Sequence, residues 1–266
     1  MEIAAISTLI QQTQNTPNTQ RNFDFDRAYY ENRCRAMNEA VGKLDDGYNC
    51  ERCRNKGFIY TLAEDGEIFS NECPDCYTVR TSLRLLKNSG LEDKTFENFI
   101  VKSDWQGGLL RTVKEFAADT SWKWLFIGGQ SGCGKTHLCT AALREIILTQ
   151  NKAVRVLKWV EGSRSLKASV NDSGYASEAD IYKGAEVLYI DDLFKGGGNA
   201  ISNADLRLAF ELLDYRYLKG LTTVISSEFS FDNILRADEA IAGRIREKTG
   251  KYLLHVKKDS GKNQRL

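Results

Sequence analysis

From Gly129 to Thr136 the chain reads Gly-Gln-Ser-Gly-Cys-Gly-Lys-Thr, which fits G-x-x-x-x-G-K-[ST]. Residues of these types at this spacing bind nucleotide phosphates. The glycines let backbone N–H groups turn inward on a β-phosphate, Lys135 reaches the β and γ oxygens as a point charge, and the Thr136 hydroxyl can ligate Mg²⁺. Gly129, Gln130, Ser131, Gly132, Cys133, Gly134, Lys135 and Thr136 are therefore candidate ATP contacts. Asp191 and Asp192 close the apolar run Ala185–Ile190. In this context Asp191 holds the Mg²⁺ shell and Asp192 orients or deprotonates the attacking water. Ser226 and Ser227 end another apolar run, where they either hydrogen-bond the γ-phosphate or water, or simply cap a strand. Arg244 and Arg246 lie further on; Arg244 either reaches a neighbouring subunit's γ-phosphate or pairs locally with Glu247 or Glu239.

A second chemistry sits upstream. Cys50-x2-Cys53 and Cys73-x2-Cys76, nineteen residues apart, have the spacing of two knuckles closing one tetrahedral zinc site. Four thiolates leave no open coordination position, so Zn²⁺ there is structural; the rival reading is a redox couple.

These residues need positioning. Apolar strands are expected at Trp122–Ile127, Ala153–Trp159, Ala185–Ile190, Leu221–Ile225 and Tyr252–Val256, alternating with helices. The helices begin with an amphipathic one carrying Leu109, Leu110, Val113 and Phe116, followed by Lys135–Thr149. A long helix opened by Ser202 and Asp205 is expected to bury Leu206, Phe210, Leu213 and Tyr217, and another spans Asp238–Lys248. Residues 162–183 read as two short helices, and Gly196–Gly198 as a loop. Such alternation predicts an α/β fold with a parallel sheet and right-handed crossovers. Upstream, a hairpin turns at Glu64-Asp65-Gly66 between the cysteine pairs, and a helical stripe of Tyr30, Cys34, Met37, Val41 and Leu44 runs within Phe25–Leu44. That stripe packs on its own zinc module or docks on a partner. The helix Tyr77–Asn88 presents Arg80, Arg84 and Lys87, as phosphate contacts or as a solvated face. The expected division is a flexible tail at 1–22, a zinc-binding domain with linker helix at 23–90, and an ATPase core at 91–266.

Composition narrows the function classes. With 37 basic and 36 acidic residues, the formal charge of +1 creates no global field for nucleic acid, so any such site is local. No run of about 18 apolar residues and no signal-peptide pattern appears, which leads to the expectation of a cytoplasmic protein without a membrane partner.

Gly129–Thr136 with His137-Leu138, Leu188-Tyr189-Ile190-Asp191-Asp192-Leu193, Val224–Glu228 and Gly243-Arg244-Ile245 occur in an order that resembles the DnaC/DnaI-type AAA+ helicase loaders. Thr95-Phe96-Glu97-Asn98-Phe99 is similar to that family's lead-in, and the four-cysteine module to its zinc-containing N-terminal domain. The resemblance implies core strands in the order 5-1-4-3-2 counted along the chain, with no C-terminal lid and slow, partner-stimulated ATP hydrolysis. It also implies that the N-terminal domain binds the hexameric replicative helicase, while the core self-associates and contacts single-stranded DNA. Arg244 would be the arginine finger and Ser226 or Ser227 the sensor. Arg164 and Lys167 are DNA candidates by analogy with the initiator branch. Two rivals remain: an IstB-like transposition-regulating ATPase, and a nucleotide-gated zinc adaptor that never touches DNA.

Overall fold

The computed structural model of the protein describes residues 27–121, 124–170, 172–196, 200–257 and 262. The tail at 1–22, the Phe25 start of the first helix, the Trp122 start of the first core strand, and Gly197 and Gly198 lie outside the described residues. The chain divides into two compact units, Met1–Asp45 with Asn49–Cys73, and Asp46–Tyr48 with Pro74–Leu266.

In the first unit, helix α1 (Arg27–Glu39) lies on a hairpin of β1 (Phe58–Leu62) and β2 (Ile68–Glu72), which pair antiparallel with Leu62 opposite Ile68. Asn38 clamps helix to strand: its Nδ2 donates to Tyr60 O at 2.8 Å and its Oδ1 accepts from Tyr60 N at 2.8 Å. The helical stripe expected to run on through Val41 and Leu44 ends instead at Glu39. There the chain turns away to pair with the loop after Cys53, Gly42 N donating to Arg54 O at 2.6 Å and Leu44 N to Asn55 O at 3.2 Å. A Cβ on Gly42 would sit 2.1 Å from Asn55 O, so this approach needs glycine. Val41 is left 74% exposed.

The second unit is built on a five-stranded parallel sheet of β3 (Trp124–Gly129), β4 (Val154–Lys158), β5 (Val187–Asp191), β6 (Thr222–Ser227) and β7 (Leu253–Val256). The order is β7-β3-β6-β5-β4, which is 5-1-4-3-2 in core-strand order. Its strands are apolar on both faces because both are covered. On one face Leu125, Ile127, Val187, Tyr189 and Val224 meet α2 (Tyr77–Asn88), α3 (Asp104–Ala118) and α4 (Lys135–Gln150) through residues such as Leu83, Val113 and Leu138. On the other, Trp124, Phe126, Leu188, Ile190 and Ile225 meet α5 (Trp159–Ala168), α6 (Tyr175–Lys183), α7 (Asn203–Lys219), α8 (Phe231–Ala237) and α9 (Glu239–Thr249). The short α8, opened by a capping box between Ser230 and Asn233, is the helix the sequence reading passed over.

The buried face of α7 differs from the expected one. Asp205, Leu208, Ala209, Leu212, Leu213 and Arg216 are buried, whereas Phe210 is 37% exposed. The stripe is rotated because Arg216 belongs to the core, a position no apolar count assigns to a cation. Its guanidinium donates to Tyr182 O, Lys183 O, Ala185 O, Thr222 O and Thr223 Oγ1 at 2.5–3.0 Å. Burial pushes its pKa down to about 9, against which the five acceptors hold the charged form. At the other end of α7, Ser202 Oγ accepts from Asp205 N at 3.1 Å, as a cap should, but the Asp205 carboxylate also takes Trp159 Nε1 at 3.2 Å and Lys167 Nζ at 2.7 Å.

Candidate functional site

The loop from β3 to α4 owes its shape to close approaches. Gly129 (φ +111°) faces β7: a Cβ there would lie 2.1 Å from Val256 O, and the next amide, Gln130 N, donates to that same carbonyl at 3.0 Å. Gly134 (φ +95°) ends the loop, and a Cβ there would meet Phe99 Cε2 at 2.7 Å. Both positions therefore require glycine for its φ and for the space. Phe99 belongs to the Thr95–Phe99 lead-in, which is fixed by His137, whose Nε2 lies 2.8 Å from Thr95 O and 2.9 Å from Asn98 Oδ1. No side chain caps the first turn of α4, so its amides remain available to an anion. Lys135 is 5% exposed, and its Nζ donates to Gly129 O at 3.0 Å and Gln130 O at 2.8 Å. Cys133 is fully buried beside it; burial raises the thiol pKa, so this sulfur is a packed thiol rather than a reactive thiolate.

Across a cleft of about 390 Å³ stand the carboxylates at the end of β5. Three hydroxyls converge on Asp191 Oδ1: Thr136 Oγ1 at 3.0 Å, Tyr189 OH at 2.5 Å and Ser226 Oγ at 2.8 Å. Burial, with Cys139 and Asp191 nearby, drives the Tyr189 pKa well above the ordinary phenol value, so Tyr189 stays a donor. Asp192 takes a left-handed backbone (φ +56°), and its amide donates to Ser226 Oγ at 2.9 Å. Ser226 thus joins both aspartates. Ser227, equally buried, faces elsewhere: its Oγ donates to Leu193 O at 2.7 Å and accepts from Phe229 N at 3.1 Å.

Lys94, His137, Lys195 and Glu228 also line this cleft. Lys195 Nζ lies 2.8 Å from Asp192 Oδ2 and 3.0 Å from Glu228 Oε1. Partial burial of Glu228 opposes ionisation, but hydrogen bonds from Lys195 and Ser131 outweigh it and hold the carboxyl below its ordinary range. Tyr189 had a legible signal, a tyrosine in an aliphatic strand two residues before Asp191. Lys195 had none, since its pairing depends on a turn that sequence alone does not fix.

Arg244 is not among the cleft-lining residues. It stands on α9 with Nε 2.7 Å and Nη2 2.5 Å from Asp214 Oδ1, its guanidinium stacked 4.7 Å from the Phe210 ring centroid and 5.5 Å from that of Tyr217. Its partner is thus Asp214, and neither Glu247 nor Glu239. Arg164 is exposed on α5, while Lys167 is engaged with Asp205. Arg80, a candidate phosphate contact, pairs with Asp46 and donates to Tyr48 O at 2.9 Å.

The thiols of Cys50, Cys53, Cys73 and Cys76 are buried and lie within 4.8 Å of one another. Cys50 Sγ and Cys73 Sγ are 3.8 Å apart, far beyond a disulfide and close to the edge of a tetrahedron with Zn–S bonds of about 2.3 Å. Gly57 N donates to Cys53 Sγ at 3.3 Å, and Arg54 and Asn55 take left-handed conformations that wrap the loop around the sulfurs. This donor set fits a four-thiolate metal site.

Known proteins agree with this geometry. The phage-like element PBSX protein XkdC of Bacillus subtilis (strain 168) is 32% identical over 225 residues, 79% of this chain and 83% of that protein. In fold the chain is similar to DnaI (TM-score 0.52, 23% identity, 62% of this chain and 90% of that one) and to the DnaC helicase loader (TM-score 0.51, 21% identity, 63% and 97%). The family described as IstB-like ATP binding protein matches residues 79–258, more than half of the sequence. With its phosphate loop, paired aspartates and 5-1-4-3-2 sheet, the chain belongs to that family of ATP-binding AAA+ proteins.

Proposed function

We propose that this protein is an ATP-driven loader that delivers a hexameric replicative helicase to single-stranded DNA. The observation that carries the loader reading is the separate unit ahead of the ATPase core, which is too small for a core of its own and leaves Tyr29, Val41 and Phe69 56%, 74% and 48% exposed. Exposed apolar side chains on a small metal-stabilised module suit protein docking. Zn²⁺ held by Cys50, Cys53, Cys73 and Cys76 would stabilise that module without taking part in chemistry.

In the core, Lys135 would leave the Gly129 and Gln130 carbonyls for the β and γ oxygens of ATP, and Thr136 with Asp191 would hold Mg²⁺. Asp192 takes the proton of the attacking water as its oxygen bonds the γ-phosphorus. The bond to the bridging oxygen breaks, its electron pair leaving with ADP. Ser226, touching both aspartates, is the sensor of this step. Arg244 completes a neighbouring subunit's site, exchanging Asp214 for the γ-phosphate, so the core self-associates when active. Arg164, exposed on α5, is the candidate contact for a DNA phosphate.

The family match to IstB-like proteins favours a second reading, a transposition-regulating ATPase on duplex DNA. Mass analysis of the full chain with the replicative helicase of its source, under ATP, under ADP and with Lys135→Ala, separates the two. A nucleotide-sensitive complex, lost when Cys50 and Cys53 are replaced, supports the loader. No complex under any condition, with binding to duplex over single-stranded DNA, refutes it.

A further inference from the structure

Three side chains form a strap at the phosphate cleft. Glu228 pairs with Lys195 at 3.0 Å, and Lys195 pairs with Asp192 at 2.8 Å. The backbone beneath the strap is pinned. Leu193 N donates to Ser226 O at 2.8 Å, Ser227 Oγ donates to Leu193 O at 2.7 Å, and Lys195 N donates to Asp192 O at 2.9 Å. Phe194 anchors the turn in the core, edge-on to Trp159 with ring centroids 5.5 Å apart. The Lys195 side chain is by contrast 38% exposed on a four-carbon stem. Ammonium and stem can therefore swing while the turn stays still.

The charges in the cleft demand such a movement. Asp191, Asp192 and Glu228 line one cavity with the phosphate loop. A triphosphate brings one more negatively charged phosphate than a diphosphate into a cleft that already holds these carboxylates. Like charges within about 4–6 Å are costly in a partly dehydrated site unless a cation lies between them. Lys135 is the cation already assigned to the β and γ oxygens, and Lys94 pairs with Asp93 at 2.8 Å. Lys195 is the cation already seated on Asp192.

We propose that Lys195 reads the γ-phosphate: it pairs with Asp192 and Glu228, and a bound nucleoside triphosphate draws it onto a γ oxygen. That transfer removes the cation from Asp192, so the carboxylate becomes available to the attacking water only when a triphosphate is present. A diphosphate leaves the strap closed and Asp192 occupied. The inference rests on the ATP-binding reading and adds a residue that distinguishes the two nucleotide states within one subunit.

The test is equilibrium titration of the full chain with fluorescent ATP and ADP analogues in Mg²⁺, for the native protein, Lys195→Met, Lys195→Arg and Glu228→Gln. One charge-assisted hydrogen bond corresponds to roughly a tenfold or larger change in affinity. Lys195→Met should cut the ATP-over-ADP preference about tenfold, with ADP affinity within about threefold of native. Lys195→Arg should restore most of the preference, and Glu228→Gln, lacking the competing carboxylate, should raise triphosphate affinity. A Lys195→Met protein that keeps its preference, or loses ATP and ADP in equal measure, overturns the role of Lys195 while leaving the ATP reading intact. A native protein that binds neither nucleotide overturns both.

Discussion

Replacing Arg216 by methionine should be among the most damaging single changes available in the core. The side chain is fully buried and has no carboxylate partner among the described residues; five oxygens take its protons. Two of these, Tyr182 O and Lys183 O, are last-turn carbonyls of α6 without intrahelical donors, and Ala185 O lies just before β5. Methionine fills most of the volume but donates nothing. Four carbonyls left without a donor at about 1–3 kcal/mol each, partly offset by relief of the buried charge, give a loss of about 4 kcal/mol or more. Against a total stability of about 5–15 kcal/mol, that is a large fraction. Arg216→Lys keeps the charge and three donors, so about 2 kcal/mol is expected. Urea unfolding reports the values, read by tryptophan fluorescence: Trp124 Nε1 donates to Leu221 O at 3.0 Å, at the same end of β6. If Arg216→Met stays within about 0.5 kcal/mol of native, or proves more stable than Arg216→Lys, the carbonyl-clamp argument is wrong.

Other outcomes follow from named contacts. Ser226→Ala should slow single-turnover ATP hydrolysis about tenfold or more with nucleotide affinity nearly unchanged, whereas Ser227→Ala, which orphans Phe229 N and Leu193 O, should lower the unfolding free energy by about 1–2 kcal/mol and spare turnover. Gly129→Ala, with 2.1 Å between its Cβ and Val256 O, should abolish nucleotide binding in filter or fluorescence assays even where circular dichroism stays helical. Burial and Glu211 raise the Tyr175 pKa from 10.0 to about 12, so the neutral phenol contributes stability that is complete below pH 10 and lost as pH rises towards 12. Thermal melts across that window should fall more steeply for the native protein than for Tyr175→Phe. Purified protein should yield one zinc per chain to a colorimetric chelator after thiol modification, and Cys73→Ser should yield none.

The phosphate loop and the aspartate pair were legible because each rests on local chemistry, whereas the strand order followed from the family resemblance. A glycine-lysine-threonine loop between an apolar strand and a helix, or two carboxylates at a strand end, need no distant partner to be recognised. Which serine serves the aspartates was not legible, because adjacent strand residues point to opposite sides and only the sheet's neighbours decide which side holds Asp191. The stripe of α7 failed for a related reason: Arg216, outside the expected apolar stripe, is buried by acceptors from other segments. The ending of α1 at Glu39 turned on a pairing between Gly42 and the loop after Cys53, a contact across twelve residues that helical periodicity cannot register. Lys167 read as a cation free for nucleic acid, yet Asp205 holds it, a partner thirty-eight residues away.

The seam between Gly129, Gln130 and Val256 sets an order of events during synthesis. The phosphate loop follows the first strand of the five-stranded sheet, but the carbonyl that fixes its first turn belongs to β7, the last of those five strands to be made. A nascent chain that has already emerged through β6 carries every motif residue of the loop and both aspartates while lacking the wall against which the loop is folded. Nucleotide affinity should therefore appear late and abruptly as elongation passes Val256, rather than growing strand by strand. The contact most distant in sequence among the described core strands is thus the one on which the shape of the loop depends.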